Sequence, residues 1–145
     1  MTEVFVDADG HVMENLEQIG EFMEEPFSGR DRWGTSSSMV PSLDNFHTPA
    51  NGTRRTPGTF DRSIGPERWL EFLDKTSLEC AVLYPTTGLA YGNIAYPQWA
   101  AAYARAYNNW LDATYQKFSP RLKGVALIPM QDVPAAVAEL ERAVG

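Results

Sequence analysis

Three short strand-like segments alternate with segments of helical period along this chain, and this alternation limits the possible folds more than any other feature. The strand-like segments lie near residues 3–8, 79–84 and 123–128, and the second contains the nearly continuous apolar run CAVLY. A run of that kind fits a strand buried on both faces of a parallel sheet. Strands separated by helices pair in parallel through right-handed crossovers, so the sequence predicts an α/β fold of three βα units.

The intervening segments carry apolar residues three and four positions apart, which predicts amphipathic helices. The first helix is expected to end at Pro26, the second to begin at Gly65-Pro66, and the third to run from Pro97 to before Ser119. Asp132 is a plausible N-cap for a fourth. The expected core-facing residues are Leu16, Ile19 and Met23, then Trp69, Phe72, Leu73 and Thr76, then Trp99, Tyr103, Tyr107, Trp110, Leu111 and Phe118, and finally Val133, Val137, Leu140 and Val144.

Residues 27–63 are rich in Gly, Ser, Thr, Pro and Asn without a sustained period, which indicates a long irregular insertion within one domain of residues 1–145. Loops of that length in compact domains are usually functional or disordered. Because this one follows the first strand, we expect it to lie over the C-terminal ends of the strands, or to be poorly ordered.

Composition argues against several classes of partner. The formal net charge of −7 disfavours nucleic acid and anionic membrane surfaces, which need clustered basic residues. No apolar run is long enough to span a membrane, and the N-terminus lacks the pattern of a signal peptide, so a cytoplasmic location is expected. The single cysteine, Cys80, lies in an apolar run and is expected to pack as a small hydrophobe.

Polar residues that bind metals gather at the first strand. No glycine-rich dinucleotide motif follows this strand; the turn instead carries Asp7, Asp9 and His11. Residues two apart on a strand share a face, so the three side chains are expected to project together. Two carboxylates and an imidazole suit zinc, manganese or iron. The alternative is structural, with Asp9 capping the turn and His11 capping or hydrogen-bonding the following helix.

Four segments together resemble the amidohydrolase-related family, which includes aminocarboxymuconate semialdehyde decarboxylase and the γ-resorcylate and carboxyvanillate decarboxylases. They are DADGHVME (residues 7–14), AVLYPT (81–86), YNNWL (107–111) and PRLKGVALIPMQD (120–132). The resemblance implies the N-terminal part of a (β/α)8 TIM-type barrel with its metal at the C-terminal mouth. It assigns Asp9 and His11 as metal ligands, with Asp9 standing where relatives have His or Glu. The resemblance assigns Glu14 as a residue that supports the metal ligands, by orienting His11 or contacting a loop, without binding the metal itself. The alternative is an ordinary carboxylate at a helix start.

The resemblance also implies a function for the complete protein. This is non-oxidative decarboxylation of an aromatic or unsaturated carboxylic acid, with hydrolysis by the same superfamily as the alternative. The cofactor is a divalent metal, zinc first and manganese second. The remaining ligands and the catalytic aspartate are expected beyond residue 145, so the 145-residue chain alone is expected neither to hold metal tightly nor to turn over substrate. A homo-oligomer is expected for the full-length form.

Two further expectations remain open. Thr86, Tyr91 and Gln131 follow strands, so they are candidates for the substrate pocket or ordinary loop residues. A non-enzymatic alternative is that the chain is a non-catalytic fragment or an assembly module, because half of the implied metal site is missing from it.

Overall fold

The structure, a computed structural model, describes residues 3–28 and 64–145. Nearly all of the predicted insertion therefore lies outside the described residues. The elements, in chain order, are β1 (Val6–Val12), α1 (Leu16–Glu21), α2 (Pro66–Thr76), β2 (Cys80–Pro85), a 3-10 helix (Thr87–Asn93), α3 (Pro97–Leu111), a π-helical turn (Asp112–Gln116), β3 (Leu122–Gly124) and α4 (Val133–Val144). Within the described residues, no helix is long and apolar enough to cross a membrane.

The strands form one parallel sheet in the order β1-β2-β3, which confirms the predicted α/β fold. β1 begins three residues later than predicted and contains the polar motif instead of preceding it. β3 ends at Gly124, earlier than predicted.

After β3, the backbone of Leu127 is held by the side chain of Asn108 from α3. Asn108 accepts from the N–H of Leu127 at 2.8 Å and donates to its carbonyl at 2.9 Å. A side-chain amide thus replaces a neighbouring strand at this position.

The two faces of the sheet differ in burial. In β2, Ala81, Leu83 and Pro85 are buried on the face covered by helices, whereas Cys80, Val82 and Tyr84 on the other face are only half-buried. The prediction of burial on both faces is therefore wrong for the second face in the described part of the chain. In a barrel this second face points to the axis, where side chains of the other strands cover it.

Gly10 leaves room on the sheet for the side chain of Trp69 from α2. It lies in register with Leu83 on the helix-covered face. A Cβ atom at Gly10 would stand 2.9 Å from Cη2 of Trp69 and 3.0 Å from the carbonyl oxygen of Val82. The first distance is shorter than real Cβ contacts and the second is tighter than most of them, so the indole of Trp69 occupies the space that a side chain at residue 10 would need.

The aromatic face of α3 forms the centre of the core. Tyr103, Tyr107 and Trp110 are almost completely buried, and α3 packs against both α1 and α4. The predicted α3 face is confirmed except at Phe118, which is about half exposed. Aromatic side chains bury large apolar areas, so these three rings contribute strongly to the packing of this helix.

The predicted packing face of α4 is wrong. Side chains expected in the core are exposed by 49–77%, namely Val133, Val137, Leu140 and Val144. The buried positions are instead Ala136 and Glu139. The predicted N-cap is confirmed, because Asp132 accepts a hydrogen bond from the backbone N–H of Ala135 at 3.1 Å.

A buried polar network explains why Glu139 faces inward. Asn108 donates to its carboxylate at 2.7 Å, and Arg142 donates to both of its oxygens at 2.8 and 2.6 Å. Burial raises the pKa of Glu139, but the hydrogen bonds from Arg142 and Asn108 and the positive charges of Arg142 and Arg105 outweigh it, so the pKa is lowered. The pairing with these donors compensates for the desolvation of the carboxylate.

Replacing Gly10 by alanine is expected to lower the free energy of unfolding by about 1–3 kcal/mol, because the new methyl group overlaps Trp69 and a backbone carbonyl. Denaturant unfolding of the purified protein measures this loss. Gly92→Ala is the matched control, because nothing lies within 4 Å of the Cβ position there. Equal stability of Gly10→Ala and the natural protein would contradict the close approach of Trp69.

Glu139→Gln is expected to cost roughly 1.5–3 kcal/mol at neutral pH, the range of hydrogen bonds to charged groups. The folded-state pKa of Glu139 is lowered, so its stabilising contribution is present above the ordinary pKa of a glutamate and is lost as the pH falls through the folded value. The stability difference between variant and natural protein should therefore shrink on acidification. Unfolding measured at several pH values tests this, with the exposed Glu141→Gln as control; a difference that does not change with pH would contradict the assignment.

Candidate functional site

A β-bulge in β1 positions the polar motif. Asp7 pairs with Ala81 and Gly10 with Leu83, so Ala8 and Asp9 together stand opposite the single residue Val82. A bulge interrupts the two-residue alternation of a strand. The expectation that Asp7, Asp9 and His11 project together is therefore wrong for Asp7. This residue pairs with Ala81, which lies on the face of the sheet that the helices cover. Its carboxylate accepts from the backbone N–H of Asp9 at 3.1 Å.

Asp9 and His11 do approach each other. Asp9 Oδ1 lies 3.8 Å from His11 Nε2, with the Asp9 side chain 95% exposed and the imidazole 36% exposed. His11 lies in register with Tyr84 on the half-buried face, and the two rings are 6.0 Å apart. Both side chains therefore lie towards the C-terminal edge of the parallel sheet, where barrels of this kind carry their chemistry.

The end of β2 fixes the state of the His11 ring. His11 Nδ1 lies 3.0 Å from the carbonyl oxygen of Pro85 and 3.4 Å from Thr86 Oγ1. A carbonyl oxygen only accepts, so Nδ1 carries the proton and donates to it. In the neutral imidazole the lone pair is then on Nε2, the atom that faces Asp9. This is the arrangement found in metal-binding histidines, whose other ring nitrogen donates to a carbonyl or a carboxylate.

The donor set of Asp9 and His11 fits a divalent metal but does not complete its coordination. Two protein ligands about 2.1 Å from a tetrahedral ion stand roughly 3.4 Å apart. The 3.8 Å between Asp9 Oδ1 and His11 Nε2 is close to that separation. Within residues 3–28 and 64–145, no group of three or more His, Cys, Asp or Glu side chains is placed to hold an ion.

Glu14 binds the loop that follows β2. Its carboxylate accepts three backbone N–H bonds, from Thr86 at 3.2 Å, Thr87 at 3.0 Å and Gly88 at 2.7 Å. A Cβ atom at Gly88 would stand 2.6 Å from Cβ of Pro85, so only glycine allows this close path of the chain. The sequence pointed to Glu14 but not to Pro85 or Gly88, whose roles come from their backbone atoms.

The three predicted pocket residues have different surroundings. Thr86 is half-buried beside His11. The Tyr91 hydroxyl donates to the carbonyl of Ala100 at 2.8 Å, and burial, followed by the charge of Glu139, raises its pKa well above the usual range. Gln131 Nε2 donates to the carbonyls of Tyr91 and Ile94, at 3.2 and 3.3 Å. Tyr91 and Gln131 thus hold the 3-10 helix in place, and a contact of these residues with substrate stays a prediction.

Comparison with known proteins identifies the family of the chain. A family model described as Amidohydrolase matches residues 6–145, so the chain belongs to the amidohydrolase family. The superfamily is generally metal-dependent. No curated protein matches the chain at a significant level.

Among solved structures, the chain is similar to amidohydrolase map2389c from Mycobacterium avium subsp. paratuberculosis K-10, with a TM-score of 0.67 and 16% sequence identity. The match covers 99% of this chain and 47% of that one, so the chain spans about half the length of that structure. At this identity the likeness shows the fold alone, and the three parallel βα units match part of an amidohydrolase barrel.

When the His11 imidazole of metal-free protein is neutral, its proton is expected mainly on Nδ1, because the Pro85 carbonyl offers that atom an acceptor. Nitrogen-15 NMR at mildly alkaline pH distinguishes the two neutral forms. The sequence has two histidines, so His11→Ala identifies the His11 signals. Thr86→Val should leave the form unchanged, since the carbonyl remains; a predominant Nε2–H form would contradict the assignment.

Proposed function

We propose that the natural full-length protein is a metal-dependent enzyme in which Asp9 and His11 provide two of the ligands of a divalent ion. The single observation that carries this is the imidazole of His11, whose Nδ1 faces the Pro85 carbonyl and whose Nε2 faces the Asp9 carboxylate. Zinc is the first choice and manganese the second, since both accept mixed imidazole and carboxylate ligands. The third and later ligands are proposed to lie beyond residue 145.

We further propose that the reaction is non-oxidative decarboxylation of a small aromatic or unsaturated carboxylic acid. The bond between the substrate carbon and its carboxyl group breaks, the electron pair stays on that carbon, a proton takes the place of the carboxyl group, and CO2 leaves. A bound divalent ion supplies Lewis acidity towards a substrate oxygen. The support for this reaction is the resemblance of the four sequence segments to decarboxylases, and the proton carrier is proposed to lie beyond residue 145.

Hydrolysis is the second candidate. The description of the matching family model, and the name of the similar solved structure, are both amidohydrolase. The described half of the site serves either reaction, because a fixed imidazole and an exposed carboxylate bind an ion without determining whether it contacts a substrate oxygen or a water molecule.

The first test measures divalent metal retained by the natural full-length protein after dialysis. His11→Ala and Asp9→Asn are expected to weaken zinc or manganese binding by at least about 10–100-fold, the loss reported when even supporting groups of a metal site are removed. Glu17→Gln, which changes an exposed carboxylate on α1, should bind metal like the natural protein. Unchanged binding in His11→Ala would exclude the proposed site.

The second test distinguishes the two reactions in the same preparation. Release of CO2 from a panel of hydroxybenzoates is measured beside hydrolysis of a panel of amides and lactones. Metal-dependent CO2 release that His11→Ala abolishes supports decarboxylation, whereas turnover confined to the second panel supports hydrolysis. A natural full-length protein that holds no metal and converts neither panel would favour the non-catalytic alternative.

A further inference from the structure

The carboxylate of Glu14 is held in a way that ordinary helix-start acids are not. It accepts three hydrogen bonds from consecutive backbone N–H groups, those of Thr86, Thr87 and Gly88. Three converging N–H groups form an anion-binding concavity. Within the described part of the chain no lysine or arginine pairs with Glu14, so these amides compensate its charge.

The same segment of backbone also holds His11. The carbonyl that accepts from His11 Nδ1 belongs to Pro85, the residue immediately before the first amide bound by Glu14. Thr86 touches both groups, because its N–H donates to Glu14 and its hydroxyl lies 3.4 Å from His11 Nδ1. The peptide unit between Pro85 and Thr86 carries both the carbonyl facing His11 and the N–H facing Glu14. Since a peptide unit is planar and rigid, fixing its N–H also fixes the direction of its carbonyl.

The surroundings of Glu14 reinforce this constraint. Gly88 lies so close to Pro85 and Glu14 that a Cβ atom there would stand 2.6 Å from Pro85 Cβ and 3.3 Å from Glu14 Oε1, so the loop passes tightly over both residues. Burial, followed by the negative charge of Glu14, raises the pKa values of Tyr103 and Tyr107 far above the usual range, so both hydroxyls keep their protons. Among the described residues, the hydrogen-bond partners of the Glu14 carboxylate are the three loop amides, so its charge is compensated there.

We propose that Glu14 is a positioning residue that acts through the Pro85–Thr86 peptide unit to hold the imidazole of His11 with its proton on Nδ1 and its lone pair on Nε2. In the described part of the chain, the hydrogen bonds of the Glu14 carboxylate go to the loop amides and not to Nε2 of His11 or to Asp9. The importance of this positioning for metal binding rests on the proposed function, whereas its effect on the imidazole does not.

The experiment compares the His11 nitrogen-15 signals of metal-free protein in Glu14→Ala and in the natural sequence at mildly alkaline pH. The variant is expected to lose the predominance of the Nδ1–H form. Acetate or formate is then added, because a small carboxylate can occupy the three free amides. Restoration of the Nδ1–H signals at millimolar concentrations is expected in Glu14→Ala, and no change is expected in the natural protein.

Asn15→Ala is the matched control for a general loss of stability. Asn15 is the N-cap of α1, adjacent to Glu14, and accepts from the backbone N–H groups of Glu17 and Gln18 at 3.1 and 3.2 Å. Its replacement should lower the melting temperature and leave the His11 signals unchanged. An equal change of the His11 signals in Asn15→Ala would overturn the proposal, as would unchanged signals in Glu14→Ala or a change that carboxylates fail to reverse.

Glu14→Gln keeps the test decisive if the alanine variant does not fold. The amide has the shape of the carboxylate but turns an N–H2 group towards one of the loop amides, so a partial loss of the Nδ1–H form is expected. A Glu14→Gln protein that folds with unchanged His11 signals, or that does not fold at all, would overturn the proposal, because Glu14 would then be dispensable or purely structural.

Metal titration separates this proposal from the proposed function. If the natural full-length protein binds zinc, Glu14→Ala should bind it about 10–100-fold more weakly, with recovery in acetate. If the natural protein binds no metal while the His11 signals behave as expected, the proposed function fails and the positioning role stands. If the natural protein binds metal and the His11 signals are the same in Glu14→Ala, the positioning role fails and the proposed function stands.

Discussion

The register of β1 against β2, with its bulge at Ala8 and Asp9, is the constraint on which the rest of the described structure depends. The extra residue changes the pleat within the strand, so Gly10 faces the helices and His11 faces the other side. Gly10 then leaves the space that Trp69 of α2 fills, and His11 reaches the carbonyl at the end of β2. Slipping the register by one residue would exchange these faces and remove both contacts.

The candidate site is built largely from backbone groups at the end of β2. The carbonyl of Pro85 faces the imidazole, and the amides of residues 86–88 face Glu14. Parallel strands end at the same edge of the sheet, so the polar residues of β1 meet the exposed end of its neighbour there. Rigid elements therefore hold the groups that would have to keep their geometry when an ion binds.

α4 shows how a polar network decides the orientation of a helix against the simplest reading of its sequence. Its valines and Leu140 form a regular apolar stripe, yet they are exposed. Glu139 lies inside because Asn108 and Arg142 supply donors for its oxygens. Asn108 simultaneously completes the backbone bonds of Leu127, so one buried side chain joins α3, the segment after β3 and α4. Removing a single partner would leave a buried polar group without compensation.

By itself, the sequence determined the alternation of strands and helices, the parallel sheet, the buried aromatic face of α3, the cap at Asp132 and the approach of Asp9 to His11. These follow from local patterns of period, apolar residues and turn chemistry. Only the tertiary structure decided the bulge that separates Asp7 from His11, the inward face of α4, and the contacts of Glu14 with residues 86–88. Each of these depends on backbone groups or side chains distant in sequence, and no local pattern records which of them will meet.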